Sequence, residues 1–260
     1  MSRWSEYVET TGLKAGWTLL RPDLRGQGQS VWRGRIGMDE WCADLAALIA
    51  TEAGAGAVIA GHCLGANIAL EFATRHPDSV AGLVLIEPMP RQALAGTMRK
   101  VARLRPLVLL LTGIARVLNA LGLYRRRIAP LDLRQLDLAT RAALAQGPDG
   151  KAMLKQYASP LLDLRTTPVA AYLQALAAVA GKLPRSANVN VPMLVLLSAH
   201  STFTDPARTR DFFSAASDCT IVQLDALHWI PTEQPEQMRI EIERWIESKH
   251  TATRLAKQAR

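Results

Sequence analysis

Cysteine is scarce: Cys42, Cys63 and Cys219 are the only three in the chain, at scattered spacings. An odd, unclustered set gives neither a disulfide framework nor a zinc site, and it points to a reducing cytoplasm. Aromatic residues make up only 5%. Ala and Leu therefore carry most of the apolar volume, which leans the chain toward helix. No apolar run follows Met1-Ser2-Arg3-Trp4-Ser5-Glu6, as a secretory signal would require. No uncharged apolar stretch reaches the length needed to span a bilayer. Internal repeats and low-complexity linkers are missing too. So are a phosphate loop, a dinucleotide fingerprint and a metal-ligand cluster, and no cofactor or metal is expected.

What is present fits one α/β domain with room for an insertion. The chain has 260 residues, 49% of them hydrophobic, enough to build a large core and to exclude global disorder. The formal net charge is +8. Much of it lies between Arg91 and Arg141 and in the tail residues Arg254, Lys257 and Arg260. Such charge serves solubility, or attracts anionic lipid or an acidic substrate. No nucleic-acid-binding motif accompanies it, so nucleic acid is not an expected partner.

Short apolar runs alternate with helical patterns, the signature of parallel βαβ units with helices on both faces of the sheet. Strands are predicted at Trp17–Arg21, Ala57–Ala60, Gly82–Ile86, Met193–Leu197 and Thr220–Leu224. Helices are predicted at Met38–Thr51 with Asp39 as N-cap, at Ala66–Arg75, and within Pro231–Ser248. The segment Arg91–Leu183 breaks the alternation. It is rich in Leu, Ala and Arg, with turns at Gly147-Pro148-Asp149-Gly150 and Ser159-Pro160. It reads as a helical cap. The expected division is a core of 1–90 and 184–250, a cap of 91–183 and a basic tail of 251–260. Within the cap, Leu107–Leu123 reads as a buried helix, with an interfacial helix lying on lipid as the alternative.

The chemistry centres on Gly61-His62-Cys63-Leu64-Gly65, between a predicted strand and a predicted helix. A strand-to-helix turn this tight strains its middle residue and needs small neighbours, which gives Gly61 and Gly65 a physical reason. It lifts Cys63 clear of the sheet at a helix N-terminus, where the helix dipole favours a thiolate. The backbone N–H of Leu64 is placed to bind a developing oxyanion. His62 is expected to pack rather than react. The candidate base is His228, on the loop between the last strand and the final long helix. His200 and Asp225 read as loop and strand-end residues.

Pro22-Asp23-Leu24-Arg25-Gly26-Gln27-Gly28-Gln29-Ser30 resembles the P-D-x-R-G-x-G-x-S turn of the α/β-hydrolase superfamily. Arg75-His76-Pro77, Val84-Leu85-Ile86-Glu87-Pro88, and His228-Trp229 with Glu233-Gln234-Pro235 are similar to that superfamily as well. The likeness covers the core from about residue 4 to 245, without the cap, and is specific for no substrate. It implies a triad of nucleophile, acid and base. Many relatives place the acid in the loop after the strand predicted at Met193–Leu197. Here Ser201 occupies that slot, and Asp205 follows. A second group places it at the end of the strand after the elbow helix, where Glu87 stands. Glu87 is the first expectation, Asp205 the second, and a site without an acid the third. Similar hydrolases also begin with further strands and a His-Gly loop donating a second oxyanion N–H. The expectation is that the true start lies upstream of Met1.

The resemblance implies hydrolysis of an ester or thioester by a Cys-His-acid triad through a covalent acyl-enzyme. The substrate would be a small, apolar acyl compound. Dienelactone hydrolases, polyester synthases and some polyester depolymerases resemble this use of cysteine, so an acyltransferase is the close alternative. A non-catalytic protein held peripherally on a membrane through the cap is the third.

Overall fold

A computed structural model describes residues 4–53, 56–125, 128, 132–145 and 160–258. The turn expected at Gly147-Pro148-Asp149-Gly150, residues Arg126, Arg127 and Ser159, and the tail residue Arg260 lie outside these.

Four parallel strands form one sheet in the order β1-β2-β3-β4: β1 Ala57–His62, β2 Val80–Ile86, β3 Met193–Ser198 and β4 Cys219–Leu224. The two central strands, β2 and β3, are almost continuous runs of Val, Ile, Leu and Met. Successive side chains point to opposite faces, so both faces must be covered. Leu83, Leu85, Met193, Val195 and Leu197 enter one core, with Phe72 and Phe213. Val84, Ile86, Leu194 and Leu196 enter the other. The first face is covered by α2 Met38–Glu52 and α3 Leu64–Arg75. The second face receives the long C-terminal helix, through Met238, Ile242, Trp245 and Ile246. Their spacing, i, i+4, i+7, i+8, lays a single apolar stripe along that helix.

Three expectations need correction. Trp17–Arg21 is not a strand. Trp17 and Leu19 do pack inward beside Val58 and Val222, which explains the alternating pattern. Among the described residues no strand lies alongside to complete a ladder, and β1 is at the edge of the four-stranded sheet. Asp39 is not the N-cap of α2. Gly37 holds that position without a side-chain bond, and the Asp39 carboxylate instead pairs with Arg75 at 2.7 Å and Arg35 at 3.1 Å. The buried helix expected in Leu107–Leu123 is largely exposed, as described below.

Between β2 and β3 the described residues form helices only: α4 Gly96–Arg103, α5 Arg105–Ala120, α6 Leu133–Ala145, α7 Pro160–Thr166 and α8 Val169–Val179. After β3 come α9 Pro206–Phe213, then, beyond β4, α10 Ile230–Glu233 and α11 Pro235–Gln258. Among the described residues no helix is long and apolar enough to cross a membrane.

Candidate active site

Strand β1 runs directly into the turn Gly61-His62-Cys63-Leu64-Gly65, and α3 starts at Leu64. Cys63 has φ 55° and ψ −112°, a conformation that a residue with a side chain holds only under constraint. Two bonds supply it: Cys63 N–H donates to the Ile86 carbonyl at 2.9 Å, and the Cys63 carbonyl accepts from Asn67 N–H at 3.1 Å. The Leu64 N–H is the first of α3. No carbonyl within the helix can accept it, so it is available to an anion beside the thiol.

The two glycines differ in kind. A Cβ on Gly61 would lie 2.2 Å from the Gly65 carbonyl carbon and 2.3 Å from its oxygen, whereas a Cβ on Gly65 would meet nothing within 4 Å. The tight packing expected at both is thus a property of Gly61 alone. Gly61→Ala is expected to destabilise the fold by about 3 kcal/mol or more, because backbone rather than a flexible side chain would have to yield. Gly65→Ala should leave the melting midpoint unchanged or slightly raised, since alanine is the better helix former. Thermal melts of the two variants check the contrast; equal losses would contradict it.

The thiol lies 3.2 Å from Met89 Sδ, and Met89 is itself fixed by its N–H donating to Asn67 Oδ1 at 2.9 Å. Cys63 and Leu64 pack against the same apolar cluster as Met98 and Val101 of α4 and Phe203, a cluster that includes Met89 and Val179 of α8. Helices α4 and α8 therefore share one apolar cluster with the turn that carries the thiol. The other two thiols are placed differently: burial pushes Cys42 and Cys219 up to about 11, which leaves neither ready to act as a nucleophile near neutral pH.

His228 is buried, and its Nδ1 lies 2.9 Å from Glu87 Oε2. With Nδ1 engaged, the other ring nitrogen is left free of Glu87, and Cys63 is among the groups that shift the titration of the ring. Burial lowers the imidazole's affinity for a second proton, but hydrogen bonds and charge from Cys63 and Glu87 outweigh this and raise its pKa to about 9. The ring is held edge-on by Phe203 and Trp229, at centroid distances of 4.7 and 4.9 Å. Its backbone is held as well. Glu233 accepts from the N–H groups of Leu227, His228 and Trp229 at 2.9, 3.2 and 2.8 Å, and His62 Nε2 lies 3.0 Å from the His228 carbonyl.

Glu87 is buried at the end of β2, with φ 47°. Its Oε1 accepts from Ser198 N–H at 2.6 Å, and its Oε2 from Ser201 Oγ at 2.6 Å. Ser201, in the slot where many relatives carry the acid, thus supports the carboxylate that reaches His228. Asp205 requires correction. It is the N-cap of α9, accepting from Ala207 N–H at 3.0 Å and Arg208 N–H at 3.2 Å. The His228 Nδ1 that it was expected to orient is paired with Glu87 instead. His200 faces Asp225 at 3.4 Å on the surface. Glu233, Met89 and Asn67 were not legible as site residues; for Glu233 the signal was its place one helical turn after a loop whose three N–H groups need an acceptor. Among the described residues no group of three or more His, Cys, Asp or Glu side chains could hold a metal ion.

The site thus holds a thiol at a strained turn, and a buried imidazole whose Nδ1 meets a buried carboxylate. The family described as serine aminopeptidase, S33, matches residues 6–234, spanning β1 to α10 and both the turn and the imidazole loop. The chain belongs to this family of α/β hydrolases. In this hydrolase the turn carries Cys63 rather than a serine. Lipase LipV of Mycobacterium tuberculosis is 37% identical over 70 residues, a stretch covering 27% of this chain and 27% of the lipase. The fold is shared with a thermophilic esterase from Thermogutta terrifontis, at TM-score 0.64 and 21% identity over 95% of this chain and 85% of that one. It is shared equally with the enol-lactonase from Burkholderia xenovorans, at TM-score 0.64 and 19% identity over 95% and 86%.

Proposed function

We propose that this hydrolase cleaves an ester or thioester of an apolar acyl group through a Cys63-His228-Glu87 triad. The observation that carries the reading is the 2.9 Å contact between His228 Nδ1 and Glu87 Oε2, which sets the tautomer that lets the opposite ring nitrogen serve the thiol. Cys63 Sγ attacks the acyl carbon, and its proton passes to His228. Collapse of the tetrahedral intermediate breaks the bond to the alcohol or thiol, which leaves with that proton. Water then attacks the thioester, giving its proton to His228, and the acid departs as the proton returns to Cys63. The Leu64 N–H stabilises the oxyanion in both halves. The helices of residues 91–183 act as a cap. Met98, Val101 and Val179 belong to the apolar cluster that Cys63 packs against, which favours an aliphatic acyl chain.

The test is a panel of acyl esters and thioesters of graded chain length, with kcat/KM and the fate of the acyl group measured in water and with added alcohol. Turnover should rise with acyl length and release free acid. Faster decay of the acyl-enzyme with alcohol than with water would reassign the chain to acyl transfer. Absence of turnover across the panel would remove the reading altogether.

A further inference from the structure

Helix α5 has two apolar faces, and only the smaller one is covered. Val108 and Thr112 are buried against the rest of the fold, with α8 as the neighbouring helix. The other face carries Leu107, Leu110, Ile114, Val117 and Leu121, spaced i, i+3, i+7, i+10, i+14. Their side chains are 49%, 61%, 48%, 60% and 69% exposed. That is an unbroken apolar stripe some four turns long, turned to solvent, where a folded chain normally shows only scattered apolar residues.

The stretch of chain that carries the stripe has charge of one sign. From Pro88 to Leu131 the sequence contains no Asp or Glu and nine Arg or Lys. Among the described cations, Arg99, Lys100, Arg103 and Arg116 are all exposed. None of the four is in an ion pair, although Arg25, Arg75, Arg134 and Arg141 elsewhere all are. A second copy of the chain is a poor occupant for this face. A two-fold contact across this face would bring like charges from α4 and α5 of the two copies together. A sheet of anionic headgroups over hydrocarbon complements both features at once: the stripe enters the acyl region, and the cations meet the phosphates.

We propose that α5 and the end of α4 form a docking surface for an anionic lipid bilayer, with α5 lying in the plane of the interface. At 16 residues the helix is about 24 Å long, suited to lying along a membrane and too short to span one. Docking is independent of the catalytic reading, because it is measured without turnover.

The experiment is co-sedimentation of the full chain with vesicles of phosphatidylglycerol and phosphatidylcholine, beside vesicles of phosphatidylcholine alone, at about 0.1 M and about 0.5 M salt. Sedimentation velocity without lipid accompanies it. The wild-type chain should bind the anionic vesicles, on the order of tenfold more weakly at high salt or on neutral lipid. Leu110→Glu with Val117→Glu should weaken binding on the order of tenfold or more. Its melting midpoint should not move, because both side chains are already exposed. Arg103→Gln with Arg116→Gln keeps the stripe and should remove mainly the salt-dependent part. The proposal is overturned if the anionic vesicles bind no protein or if neither variant weakens binding. It is equally overturned if the wild-type chain sediments as a dimer that the double Glu variant dissociates, since a second copy would then cover the face.

Discussion

Cys63→Ala is expected to reduce turnover of a good ester or thioester substrate by on the order of 10⁴ or more, leaving binding nearly intact. The size follows from the absence of a substitute. Cys42 and Cys219 hold their protons to about 11 and lie in or beside the core on the sheet's first face. The fold should not suffer, since Cys63 is half-buried and alanine removes only the sulfur. The sulfur also acts on its neighbour. Part of what raises His228 to about 9 is the hydrogen bond and charge of Cys63, so the imidazole midpoint should fall in the variant. Three readouts belong together: loss of turnover, loss of the acyl-enzyme mass after substrate addition, and a lowered imidazole titration by NMR. Activity unchanged in Cys63→Ala would overturn the mechanism.

Removing the acid has a comparable effect by another route. Glu87→Ala should lower turnover on the order of 10²–10⁴, because the imidazole loses the partner that fixes its tautomer and stabilises its protonated form. It also leaves the Ser198 N–H without its acceptor, at about 1–3 kcal/mol, while Ser201 Oγ keeps Thr204 Oγ1 as a partner at 3.0 Å. Glu87→Gln separates the two consequences: it keeps the side chain's size and an acceptor oxygen, so melting should recover more than turnover does. The pH dependence follows from the direction of the shift. His228 is raised from 6.5 to about 9 in the fold, so its protonation stabilises the native state fully below about pH 6.5. That contribution is lost as pH rises through about 9. In Glu87→Ala one of the groups that raise the imidazole is gone, so its folded midpoint should fall and the alkaline loss of stability should shrink. Full turnover in Glu87→Ala would return the acid's role to another group.

Much of this was legible from the sequence, for reasons that can be named. Val84-Leu85-Ile86 and Met193-Leu194-Val195-Leu196 can be nothing but strands buried on both faces. The G-x-C-x-G turn between a strand and a helix identified Cys63 because only a tight elbow requires Gly61. Other features depended on distance in space. Glu87 and Asp205 carry the same carboxylate, and only the turn of the chain after β2 and the capping of α9 distinguish them. Trp17–Arg21 has the alternation of a strand without a neighbour to bond, because alternation reports on one buried face and says nothing of a ladder. The Leu-rich run of α5 read as buried because leucine is usually buried; its second apolar face follows from which side α8 covers, and no periodicity states that.

The register between β1 and β2 has a consequence for how the site responds to heat. His62 is paired with Ile86, so Cys63 and Glu87 are the next residues along two neighbouring strands. Each continues its ladder by one more bond, from Cys63 N–H to Ile86 O and from Glu87 N–H to Leu196 O, both at 2.9 Å. The positions of Cys63 and Glu87 are thereby set by the ends of two paired strands. Their amide protons should exchange with solvent as slowly as those of the central strands, while those of α5 exchange early. Warming should then loosen α5 well before it disturbs the ends of β1 and β2, and under the proposed mechanism substrate selectivity should soften at temperatures where turnover still runs.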